Sequence, residues 1–285
     1  MTTIEAPTTL LRVEPIHPTI GAVVHGVDAS RPLDPATVAF VRQALLDHKA
    51  IFLRGQHLDL EQQGRFAEHF GDLTPHPIQE LAGGYPDFEW LMQQSIRTRA
   101  EGWHSDMAFL PEPPFATLLT LPVIPPVGGD TLFLDLEAAY NDLSEPVRTL
   151  VDDLTVIHYA DNFQDWAWGP NVDEARRNQI LSWAARPVEH PLVRVHPETG
   201  RRMLFAVTGF ARRIKGLSEE ESKGILALLA AHVSRAEYVA RFKWSPGDIA
   251  FWDNRTVLHR ASIDFGDTPR PLQRVTISEF AVNSH

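Results

Sequence analysis

Cysteine is missing from the 285-residue chain, which excludes disulfides, thiolate metal sites and a cysteine nucleophile. No apolar run approaches the ~18 residues that a membrane-spanning helix needs. Basic blocks of five or six residues are also missing, and 26 Lys and Arg against 37 Asp and Glu give a net charge of −11. That balance argues against nucleic acid or an anionic membrane as a partner. The opening Met-Thr-Thr-Ile-Glu-Ala-Pro has neither the basic nor the apolar stretch of an export signal, so a cytoplasmic protein is expected. Neither a phosphate-binding glycine loop nor a dinucleotide fingerprint occurs. No repeat or low-complexity linker marks a boundary, and one domain over residues 1–285 is expected.

What is present is ordinary for a globular protein: 44% hydrophobic and 22% charged residues, with 22 Pro scattered along the chain. Five helices can be read. Asp34-Pro35 opens the first, running to His48. Asp59 opens a second through Phe70, and Ser144 a third through Leu154. A fourth spans Asp173–Ala185. Ser218 and Glu221 form a capping box for a fifth that ends near His232. Short β-branched or aromatic runs lie between them: Ile20–Val24, Ala50–Leu53, Phe88–Leu91, Trp103–Phe109, Ala116–Leu121, Thr131–Leu134, Leu192–Val195, Met203–Val207, Tyr238–Trp244, Ile249–Trp252, Leu258–Ala261 and Leu272–Phe280. Many short strands with few, irregularly placed helices predict a mainly β fold, a sandwich or barrel with flanking helices.

Thirteen His residues invite a search for metal ligands, and three precede a carboxylate by two positions: His57/Asp59, His104/Asp106 and His196/Glu198. Chance supplies 13 × 37/285, about 1.7, so context must decide. Asp59 is better used as a helix N-cap. His196-Pro197-Glu198-Thr199-Gly200 reads as a turn. Trp103–Phe109 reads as a strand or strand end, where i and i+2 share a face, so His104 and Asp106 can share one metal. His259, at the start of an apolar strand, is the candidate third ligand. Two His and one carboxylate suit non-haem Fe(II) and O₂ chemistry, although a catalytic zinc can use the same residue types. Downstream, Arg270 and Arg274 stand four apart, on one face if the segment is extended. Each offers a planar fork for an anion.

With these residues the chain resembles the taurine dioxygenase family of Fe(II)/2-oxoglutarate-dependent oxygenases. The resemblance runs from Gly21-Ala-Val-Val-His-Gly-Val and Ile51-Phe-Leu-Arg-Gly-Gln to the last strand. Trp103-His104-Ser-Asp106, Gly128-Gly-Asp-Thr131, Trp252-Asp-Asn-Arg, His259, Arg270 and Arg274 carry it, in that order. The resemblance implies a jelly roll (double-stranded β-helix), a homo-oligomer, and His104, Asp106 and His259 as iron ligands. It also implies that Thr131 and Arg270 hold the distal carboxylate of 2-oxoglutarate, the cosubstrate beside O₂. His76 and Arg274 match residues that bind the sulfonate of taurine, and Phe210 matches an aromatic wall residue. Gln79 and Ala100 stand where taurine-oxidising members have Tyr and Asn. Those two departures favour a small organosulfonate or alkyl sulfate with an apolar tail over taurine itself. A carboxylate such as an aryloxyalkanoate is the alternative substrate. A non-catalytic jelly roll that binds small anions is the alternative function, and a zinc hydrolase ranks last.

Overall fold

A computed structural model describes residues 10–77, 102–169, 172–266 and 268–279. The strands in chain order are β1 (Arg12–Pro15), β2 (Ala22–His25), β3 (Ala50–Leu53), β4 (Asp72–Leu73), β5 (Ala116–Thr120), β6 (Thr131–Asp135), β7 (Thr155–His158) and β8 (Val188–Pro191). They continue as β9 (Val193–Val195), β10 (Arg202–Leu204), β11 (Ala211–Ile214), β12 (Val239–Phe242), β13 (Ile249–Asp253), β14 (Val257–Ala261) and β15 (Gln273–Ser278). The helices are α1 (Pro35–His48), α2 (Leu60–Glu68), α3 (Leu136–Asn141), α4 (Glu145–Val151), α5 (Glu174–Ala184) and α6 (Glu219–Val233), with a 3-10 stretch over Asp161–Trp168.

Seven strands form one sheet in the order β1-β2-β3-β13-β5-β15-β4, antiparallel except for β2 beside β3. A second sheet, β12-β6-β14, lies across it. The alternation of the central strands explains both contacts. Ile51, Leu53, Ile249 and Phe251 face α1 and α2, packing with Val41, Leu45, Phe66 and Phe70. Ala50, Phe52, Ala250 and Trp252 face the other way, onto Phe133, Ala240, Phe242 and Val257. Phe52 stacks on Phe242 with centroids 3.9 Å apart. Strands covered on both faces read as continuous apolar runs, which is why β3, β5 and β13 stand out in the sequence. Burying each large side chain contributes roughly 1.5–3 kcal/mol.

Helix starts follow their caps. Asp34 accepts from the backbone N–H groups of Ala36 and Thr37, with Pro35 in the first turn, and the helix ends at His48 as expected. Asp59 closes a capping box with Gln62, and Ser218 does so with Glu221. The mainly β class with flanking helices agrees with expectation. Trp103–Phe109 does not: only His104 bridges a strand neighbour, and the chain then turns through Asp106–Phe109 with Met107 at φ 50°. Met107, Ala108 and Phe109 are apolar because they bury this turn against Phe205, Ala206 and Phe210, not because they pair in a sheet. The strand expected at Phe88–Leu91 lies outside the described residues.

Candidate active site

Three side chains meet where the 102–109 segment crosses β14. The His104 and His259 backbones exchange two hydrogen bonds (3.1 and 2.8 Å), setting their rings 4.3 Å apart. Asp106 follows on the same crossing, and one donor atom from each of the three lies within 4.8 Å of the others. His104 Nδ1 sits 2.9 Å from the Gly102 carbonyl, which can only accept, so Nδ1 carries a proton and Nε2 is the nitrogen left to face a metal. His259 is held neutral, its pKa pushed down to about 3 by burial and then by the neighbouring His104. Its Nε2 stands 3.9 Å from Asp106 Oδ1, and its Nδ1 is buried without a partner among the described residues. Burial opposes ionisation of Asp106, but Arg274, His259, His104 and the Thr117 hydroxyl outweigh it and hold the carboxyl below its usual range. Two imidazoles and an ionised carboxylate around one point fit a divalent cation.

The carboxylate is fixed from both sides. Arg274 Nη1 donates to Oδ1 (3.0 Å) and Thr117 Oγ1 donates to Oδ2 (2.7 Å). Behind Thr117, Asn254 Nδ2 donates to its oxygen (2.8 Å), and Trp252 Nε1 donates to Asn254 Oδ1 (2.9 Å).

A second feature lies two residues along β6. His259 pairs with Phe133, while Thr131 pairs with Ala261. Thr131 is therefore on the same face, ~6.7 Å along the strand from the position opposite His259. Arg270 is 4% exposed and donates to the Gly129 carbonyl (2.8 Å) and Thr131 Oγ1 (3.0 Å). No carboxylate pairs with it among the described residues, and burial pushes its pKa down to about 10 despite the nearby Asp130. Such a cation calls for an anionic partner. The adjacent Gly129 follows from this packing. Gly129 has φ 73°, and a Cβ there would come within 3.0 Å of Pro125 and 3.3 Å of the Arg270 side chain.

Beyond Asp106 the wall is aromatic. Phe163 is its hub, with ring centroids 4.9 Å from His76, 5.4 Å from Phe109, 6.0 Å from Phe210 and 6.0 Å from Trp183. His76 is buried there, its pKa pushed down to about 3 by burial and by Arg274, so it brings a neutral ring. Arg212 ties the two halves of this wall together with a bidentate pair to Asp161 (2.9 and 2.5 Å).

Residues 12–276 match the taurine catabolism dioxygenase TauD, TfdA family. The chain belongs to that family. It is 40% identical to an alpha-ketoglutarate-dependent sulfate ester dioxygenase of Pseudomonas putida, over 94% of this chain and 89% of the relative. It is 36% identical to an alkylsulfatase of Acinetobacter baylyi, over 100% and 91%. A crystal structure of a taurine dioxygenase from Burkholderia xenovorans superposes with a TM-score of 0.75 at 39% identity, covering 94% and 89%.

In this TauD, TfdA family member the structure brings together His104, Asp106, His259 and Arg274, and separately Thr131 with Arg270. His76 and Phe210 share the aromatic wall; Gln79 and Ala100 lie outside the described residues. Arg270 and Arg274 do not share one extended face, because β15 begins only at Gln273 and Arg270 precedes it in irregular chain. Arg274, expected to bind the substrate's anionic group, lies at the site, where its described hydrogen-bond partner is Asp106. Sequence reasoning missed Thr117, Asn254, Phe109, Phe163 and Trp183. Asn254 was within sight, two residues after Trp252 in a motif already singled out; Phe163 gave no local signal.

Proposed function

We propose that this enzyme is an Fe(II)- and 2-oxoglutarate-dependent dioxygenase that hydroxylates an organic sulfate ester or sulfonate at the carbon bearing the anionic group. Bound at His104, Asp106 and His259, ferrous iron with 2-oxoglutarate supplies an oxidant that puts one atom of O₂ into a C–H bond as the oxo acid becomes succinate and CO₂. The hydroxylated carbon then collapses to an aldehyde, releasing sulfate from an ester or sulfite from a sulfonate.

The observation that carries this reading is the buried Arg270 on Thr131, two residues along β6 from the position opposite His259 and with no carboxylate paired to it among the described residues. A five-carbon dicarboxylate is long enough for that separation, so Arg270 and Thr131 would hold its far end with its oxo acid end toward His104, Asp106 and His259. Arg274, already at Asp106, offers its fork to the substrate's anionic group, with His76 as a neutral second donor. Phe109, Phe163 and Phe210 shield the reacting carbon from water and favour an apolar tail. The sulfate ester and alkyl sulfate chemistry named for two relatives supports the same substrate class. A jelly-roll arrangement of the two facing sheets, a single domain, homo-oligomeric assembly and a cytoplasmic location belong to this reading. Among the described residues no helix is long and apolar enough to cross a membrane.

The test is substrate-stimulated succinate formation across alkyl sulfates, alkyl sulfonates, taurine and aryloxyalkanoates, with sulfate, sulfite and aldehyde measured together. Stimulation by an aryloxyalkanoate alone would replace the sulfur substrate by a carboxylate. No stimulation by any anion would leave a binding protein.

A further inference from the structure

The hydrogen bonds behind Asp106 run in one direction only. An indole N–H can only donate and an ionised carboxylate can only accept, so both ends of the series have fixed polarity. Between them nothing is left to choose. Trp252 gives its proton to Asn254 Oδ1, Asn254 gives one from Nδ2 to Thr117 Oγ1, and Thr117 gives its only hydroxyl proton to Asp106 Oδ2. Turning the Asn254 amide over would set an NH₂ against the indole N–H and leave two oxygens facing each other at Thr117. Turning the Thr117 hydroxyl away would leave its proton without an acceptor where its oxygen is already engaged.

Trp252, Asn254, Thr117 and Asp106 are each at most 3% exposed, so water does not compete for these bonds. The Asn254 main chain is pinned as well: its N–H donates to the Phe115 carbonyl (2.8 Å), and its carbonyl accepts from Ser105 Oγ (2.7 Å). Ser105 stands between His104 and Asp106, so one asparagine is tied to the side chain between the two and, through Thr117, to the Asp106 carboxylate. The Trp252 ring also lies against His259, centroids 4.5 Å apart.

We propose that Thr117, Asn254 and Trp252 are positioning residues that keep Asp106 a one-oxygen metal ligand. Their bonds occupy Oδ2, while Oδ1, which also accepts from Arg274, is the oxygen turned to His259. A carboxylate free to rotate would first have to be re-ordered before it could serve a cation, which weakens binding. This inference rests on the metal site proposed above.

The probe is Mn(II) added to metal-free protein, with free Mn(II) followed by its electron paramagnetic resonance signal and no turnover involved. Thr117→Val keeps the side chain's shape and deletes the proton; Thr117→Ser keeps the proton. Loss of such a supporting bond typically weakens metal binding about 10- to 100-fold, and that is expected for Thr117→Val, with Thr117→Ser within about threefold of wild type. Asn254→Ala is expected to weaken binding less, and Trp252→Phe least, because Thr117 keeps its proton in both. If Thr117→Val is unfolded by circular dichroism, Asn254→Ala read against Thr117→Ser decides in its place. Mn(II) affinity within threefold of wild type in folded Thr117→Val would overturn the proposal. So would equal losses in Ser and Val, which would point to methyl packing. Asp106→Ala binding Mn(II) as wild type does would instead overturn the metal site itself.

Discussion

Replacing Arg270 with Met separates function from stability at one residue. The guanidinium is buried, its two described hydrogen-bond partners are neutral oxygens, and burial pushes its pKa down to about 10. In protein without cosubstrate, Met removes a buried charge that no carboxylate pairs with among the described residues and leaves the Gly129 carbonyl without that donor, a loss of about 1 kcal/mol. Thr131 Oγ1 keeps its bond from Trp244 Nε1 (3.0 Å). The melting temperature of cosubstrate-free Arg270→Met should therefore stay near wild type or rise. With 2-oxoglutarate the outcome reverses. Truncating one member of a buried, hydrogen-bonded charge pair costs about 2–5 kcal/mol, or ~30-fold to a few thousand-fold in Kd at 1.4 kcal/mol per decade. Anaerobic titration of 2-oxoglutarate into the Fe(II)-loaded protein, read by its charge-transfer absorption, measures this. A 2-oxo acid lacking the distal carboxylate should bind wild type weakly and lose little in the variant. A 2-oxoglutarate Kd within threefold of wild type would place the distal anchor elsewhere, and a large fall in melting temperature would refute the charge argument.

Asp106→Ala removes the triad's only charged ligand, so iron content and coupled turnover should both collapse; near-wild-type activity with stoichiometric iron would remove Asp106 from the ligand set. Phe163→Ala opens the centre of the aromatic wall, so the optimum along an alkyl sulfate series should move to longer chains. Each methylene filling the vacated space contributes ~0.8 kcal/mol, about fourfold in kcat/KM, and an unmoved optimum would take Phe163 out of the pocket. Acid should destabilise the fold through His158 and His190, whose pKa values burial pushes from 6.5 down to about 4. The unfolded chain binds their protons first, so their contribution is complete above pH 6.5 and is lost as pH falls toward 4, by up to ~1.4 kcal/mol per pH unit for each ring. Urea midpoints at pH 7.5 and pH 5 measure this; equal midpoints would contradict it, and His190→Gln should make the dependence shallower.

What could be read from the sequence was local chemistry. Asp34-Pro35 and Ser218 with Glu221 announce helices because a cap and its partner lie within one turn. The strands β3, β5 and β13 announce themselves because all their residues are buried. Polar strands at the margins do not: β1 is largely exposed, and β11 carries two Arg in four residues. Helix α3 was missed because Asp135 ends β6 and caps the helix in the same step. At the site, ligand types and order were legible, but the crossing that joins them was misread, since burial of Met107 and Phe109 mimics a strand. The bonds behind Asp106 were invisible because Asn254 and Thr117 are 137 residues apart.

The place of β15 in the large sheet has a consequence during synthesis. It lies between β5 and β4, not at a free margin, and its Arg274 reaches Asp106 across 168 residues of sequence. A nascent chain that has released His104 and Asp106 from the ribosome still lacks His259, Arg270 and the strand that closes the sheet beside β5. Pairings of such long sequence separation form late. The polypeptide therefore cannot bring His104, Asp106, His259 and Arg274 together until the segment carrying β15 has been made and has paired beside β5.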